Sequence, residues 1–111
     1  MKKFAKGTVV KIVDVGEQYT TYWSWVSKNA PEYFDAWYNR KNVLKQEDAG
    51  KHAVVIKHAP HGRQHTELYL IFVNNEFQLI GHKGLKRAYK SRKPFEFDFE
   101  THYYKVNVNH D

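Results

Sequence analysis

The sequence predicts a mainly β fold with a helical insertion, an α+β class, and three observations carry that prediction. Short β-branched and alternating runs recur as "TVVKIVDVG", "KHAVVIKH", "TELYLIFV" and "EFQLI", the pattern of strands half-buried on a core. Between the first two, aromatic residues in "YTTYWSWVSKNAPEYFDAWYNRK" return at helical spacing. The dipeptide Asn74-Asn75 separates two alternating runs, and asparagine tolerates the positive φ of a tight hairpin.

Each element has its own reason. Thr8 to Gly16 reads as a strand, with Val10 and Ile12 on the face of Thr8 and Val9, Val13 and Val15 on the other. Thr20 or Thr21 is placed to cap a first helix whose stripe is Tyr22, Trp23 and Val26. That helix must stop before Pro31, because the residue preceding proline resists helical angles. Pro31 can itself open a second helix, in which Phe34, Trp37 and Tyr38 share a face while Glu32, Asp35 and Asn39 point outwards. After a polar connector, strands at 51–58, 66–73 and 76–80 form an antiparallel meander, the first two joined by "APHGRQH". "GHKGL" suits a turn or 3₁₀ segment around Leu85. "FEFDFE" and "YYKVNVN" alternate again as a closing strand or hairpin.

A strand, a long excursion, a meander with a tight distal hairpin, a short turn and a last strand is the order of an SH3-like small antiparallel barrel. The expected layout is such a barrel over residues 1–94, two short helices inserted at about 20–40, and a β extension over 95–111 packed on the same domain. An unrelated α+β meander is the alternative.

Length and composition bound the class. A chain of 111 residues fits one domain and can bury roughly two-thirds of its unfolded surface. It has no cysteine, which leans towards a reducing compartment, so the expected location is the cytoplasm. "MKKFAKG" has the positive start of a signal peptide without the apolar stretch behind it. No run approaches the roughly 20 apolar residues that span a bilayer, and no membrane partner is expected.

The net charge is +6, with 17 Lys/Arg against 8 Asp/Glu in residues 1–94 and one Lys against four acids in residues 95–111. A basic body favours polyanions. The densest run, "KGLKRAYKSRK", supplies Lys83, Lys86, Arg87, Lys90, Arg92 and Lys93 for phosphates, and Tyr89 to stack on an unpaired base. The expected partner is nucleic acid or a nucleoprotein complex, with no cofactor and no catalytic residue. The next stretch, Phe95, Phe97 and Phe99, reads as a closing core strand or as an edge that pairs with a partner or a second copy, giving a homodimer.

Other patterns admit both a functional and a bland reading. His58, His61 and His65, with His52 on the face inferred for His58, give a bare metal-ligand spacing that surface histidines also explain. "GHKG" matches a Gly-x-x-Gly backbone grip, but a strand enters it, and its glycines read as turn residues. Ser24, Ser27 and Ser91 stand in no nucleophile motif, and Asp14, Glu17, Asp35 and Glu67 have no telling spacing.

Gly7, Lys11, Ile12, Val13, Gly16, Tyr19, Thr21, Tyr22 and Trp25, followed by Tyr69, Ile80, Gly81, Gly84 and Leu85, resemble small proteins encoded by bacteriophages of Gram-positive bacteria. The resemblance covers scattered parts of residues 4–85 and implies an SH3-like, phage-encoded protein acting in the host cytoplasm, without supplying catalytic residues. The tail from Lys86 departs from it. Beside nucleic-acid binding stand two other expectations: a protein-interaction module that inhibits a host protein such as a defence nuclease, and a metal-dependent enzyme using the three histidines.

Overall fold

Residues 4–16, 22–61 and 66–88 are described by the computed structural model. They form a mainly β, α+β fold: one five-stranded antiparallel sheet with two short helices against it. The strands are β1 (Val9–Ile12), β2 (His52–His61), β3 (Thr66–Val73), β4 (Glu76–Gly81) and β5 (Leu85–Arg87). Their order across the sheet is β4-β3-β2-β1-β5. The described pairings leave β4 and β5 at opposite edges, so the sheet is open and the expected closed barrel is not formed by these strands. The tail expected to pack as a further β extension, 95–111, lies outside the described residues.

Both faces of the sheet are covered. On one, Val10, Ile12, Ala53, Val55, Tyr69, Ile71, Ile80 and Leu85 pack with Phe4, Val15 and Leu44. On the other, α1 (Trp23–Asn29) and α2 (Phe34–Tyr38) lay Trp25, Val26, Ala30, Tyr33 and Trp37 over Ile56, Leu68, Leu70, Phe77 and Leu79. Large rings therefore roof β2, β3 and β4. Burying one fully, as Trp37 is, is worth about 3–5 kcal/mol against alanine.

The helices break where expected. Ala30 stands at φ −147°, Pro31 opens a 3₁₀ turn to Tyr33, and α2 follows directly. Asn29 Nδ2 donates to the Trp25 carbonyl at 2.9 Å, tying off the last turn of α1. The apolar stripe of α1 differs from expectation: Trp25 and Val26 are buried and Trp23 is exposed. Two stripes overlap in this segment, and the one that continues through Ala30 faces the sheet. Tyr38 is likewise exposed rather than buried. The N-cap position is Tyr22, without a side-chain cap; Thr20 and Thr21 lie outside the described residues.

β1 is shorter than the run that predicts it. It ends at Ile12, after which Val13 is exposed and Val15 turns back into the core. The β3–β4 hairpin is as expected, with Asn74 at φ 54° and Asn75 at φ 63° and Val73 paired with Glu76.

One irregularity was not visible in the alternation. Val55 pairs with Ile71 and Lys57 with Leu70, which leaves Ile56 as an extra residue in β2. A bulge puts two consecutive side chains on the same face. Here Ile56 is buried under the helices while Lys57 is exposed.

Candidate nucleic-acid interface

The basic run is not a loop at its start. Lys83 lies in a 3₁₀ turn (His82–Gly84) and Lys86 and Arg87 belong to edge strand β5. Gly84 fixes this segment against β1, its carbonyl accepting the Val13 N–H at 2.8 Å. The turn expected at "GHKG" is present as this 3₁₀ turn, and Gly84 serves it by allowing close approach, since its φ lies outside the left-handed range.

Strand alternation then divides the charges. Lys11 pairs with Lys86 on β5 and with His52 on β2. Val10 and Ile12 point into the core, so Lys11 and its cross-strand partners point the other way. Lys86, Lys11 and His52 thus form a row across three adjacent strands, all exposed. Neighbouring side chains in such a row stand roughly 5 Å apart at Cβ. Among the described residues, Lys11, Lys83 and Lys86 make no salt bridge. The nearby Asp14 carboxylate is engaged elsewhere, accepting from Gly16 N–H at 3.1 Å and Gln46 Nε2 at 3.0 Å.

Arg87 pairs with Val10 and so serves the opposite face. Its guanidinium carbon lies 5.9 Å from the centre of the Phe4 ring. Phe4 stacks on His82 at 5.5 Å, and its N–H donates to the buried Tyr69 hydroxyl at 3.0 Å. Lys86 and Arg87 were expected on one patch, and the structure separates them. Tyr89, Lys90, Arg92 and Lys93 lie outside the described residues, as do Phe95, Phe97 and Phe99.

The histidines are also divided. His52 was expected on the face of His58, but the bulge at Ile56 reverses the parity of β2 between them. His52 stands beside Lys11, whereas His58 packs on Tyr69 with ring centres 5.4 Å apart. His58 Nδ1 is 3.5 Å from the Glu67 carboxylate, which is itself buried. His61 ends β2 and His65 lies outside the described residues. Among the described residues, no three His, Cys, Asp or Glu side chains are grouped to hold a metal ion, and no helix is long and apolar enough to cross a membrane.

Sequence reasoning about sites missed Lys11. Its signal was present, a lone cation between two buried β-branched residues. Its significance depends on which residue faces it from β5, and pairing is not written in the strand itself. No protein-family model, curated protein or solved structure matches the chain.

Proposed function

We propose that this protein is a non-enzymatic, SH3-like domain of phage type that binds nucleic acid, alone or within a nucleoprotein complex, through the exposed face of β1 and β5. The strand order β4-β3-β2-β1-β5, with a 3₁₀ turn between β4 and β5, supports the SH3-like reading in an opened form. The observation that carries the function is the direct opposition of Lys11 and Lys86. Like charges facing each other across an antiparallel ladder cost stability. The two opposed lysines, which make no salt bridge among the described residues, gain that energy back when phosphates lie along them and counterions leave. Lys83, exposed in the turn that leads into β5, adds a further cation to this end of the chain segment.

Titration of duplex DNA and of single-stranded RNA across salt concentration tests this. Affinity is expected to fall steeply with salt, and Lys11→Glu combined with Lys86→Glu to weaken it by at least about tenfold, with the salt slope on duplex DNA reduced by roughly 0.9 per lost phosphate contact. Lys86→Glu alone, by giving Lys11 an opposite charge across the ladder, is expected to stabilise the fold by about 0.2–1 kcal/mol while weakening binding. Binding that ignores salt, or that survives the double substitution intact, refutes the reading.

A further inference from the structure

We propose that the outer surface of the helical layer is a docking site for an arginine-rich segment of a protein partner. Trp23 and Tyr38 are the two large aromatic side chains left most exposed among the described residues, at 51% and 56%. Their rings meet edge to face, with centres 6.2 Å apart. Tyr38 stacks on Phe34 at 5.7 Å and 15°, and Phe34 rests on the buried Trp37 at 5.9 Å. The exposed pair is therefore backed by a continuous ladder of rings into the core. Groups held this firmly lose little freedom when a ligand lands on them.

The charge beside the rings selects the ligand. Glu32, Asp35 and Tyr38 follow at intervals of three along the 3₁₀ turn and α2, which aligns them on one side. Both carboxylates are exposed and make no salt bridge among the described residues. Lys28, in the last turn of α1, is the exposed cation of the same layer. Phosphates would meet Glu32 and Asp35 here, so base stacking is disfavoured, whereas a guanidinium gains both an aromatic face and a carboxylate. The molecule already seats a guanidinium on a tryptophan ring of the same layer. The Arg40 guanidinium carbon sits 4.8 Å over the Trp37 ring, with Nη1 donating to the Trp37 carbonyl at 2.7 Å and Nε to Gln78 Oε1 at 3.1 Å. Trp23 and Tyr38 offer exposed rings, and Glu32 and Asp35 exposed carboxylates, to an outside arginine. This surface is distinct from the β1–β5 face and does not depend on its function.

The full chain titrated with a short amidated peptide of alternating Arg and Gly tests the proposal, read by calorimetry and by tryptophan fluorescence, in which Trp23 is the exposed reporter. Saturable binding is expected. Glu32→Gln with Asp35→Asn, and separately Trp23→Ala, are each expected to weaken it by at least about tenfold with the melting temperature unchanged. The Lys11 and Lys86 substitutions are expected to leave it intact. No saturation up to about 1 mM peptide, equal binding by the carboxylate double variant, or loss of peptide binding in the Lys11 and Lys86 variant would each overturn it.

Discussion

A Cβ atom on Gly84 would stand 2.2 Å from the Asp14 carbonyl oxygen and 2.8 Å from Ile80 Cδ1, so the 3₁₀ turn reaches β1 only because residue 84 is glycine. The obstacle is backbone, which cannot rotate aside as a side chain can. Gly84→Ala is expected to cost about 1–3 kcal/mol, the usual range for overpacking, seen as a lower midpoint in urea unfolding. Because Gly84 holds the first residue of β5 against β1, the same substitution should loosen the register that opposes Lys86 to Lys11. A Gly84→Ala protein with unchanged stability would show that this contact is not what positions the basic row.

At the scale of elements, Asp48 joins three segments. Its carboxylate accepts from Lys51 Nζ at 2.7 Å, from the Lys45 N–H at 2.9 Å and from Asn74 Nδ2 at 3.2 Å. It thereby ties the 3₁₀ turn Gln46–Asp48 to the approach to β2 and to the β3–β4 hairpin. The hydrogen bond from Lys51, with that from the Lys45 backbone, holds its pKa below the ordinary value of 3.8 against the opposing effect of burial. A carboxylate depressed in the folded state contributes stability above its unfolded pKa and loses it as pH falls through the folded one. Thermal stability is therefore expected to drop as pH is lowered from about 4, and Asp48→Asn to flatten that decline while costing about 1–2 kcal/mol at neutral pH. Melting curves from pH 2 to 7 for both proteins check this. An undiminished acid dependence in the variant would locate the responsible group elsewhere.

For the whole molecule, charge is the dominant collective property. A net charge of +6 repels itself in the compact state, and salt screens that repulsion over distances of about 10 Å at 0.1 M. Raising NaCl from about 20 to 200 mM is expected to raise the melting temperature, the opposite of its effect on polyanion binding. A melting temperature that falls with salt would show that attractive pairs outweigh the repulsion. Much of this architecture was legible beforehand, because β3, β4 and the Asn74-Asn75 turn announce themselves through local chemistry, and so does the break at Pro31. The site was legible only in part. Lys86 was found from charge density, but its partner Lys11 lies 75 residues earlier in the chain, and only cross-strand register joins them. Trp23 and Trp25 could each have faced the core, and the sheet beneath decided between them.

Ile56 has a consequence for how this chain should be compared with others. Removing it would leave every cross-strand partner of β2 as it is, since Val55 already faces Ile71 and Lys57 already faces Leu70. A relative without the extra residue would be one position shorter, with uninterrupted alternation and without the Ile56 side chain beneath its helical roof. An alignment that forbids a gap there would mismatch the whole second strand on one side of it, turning every inward position into an outward one.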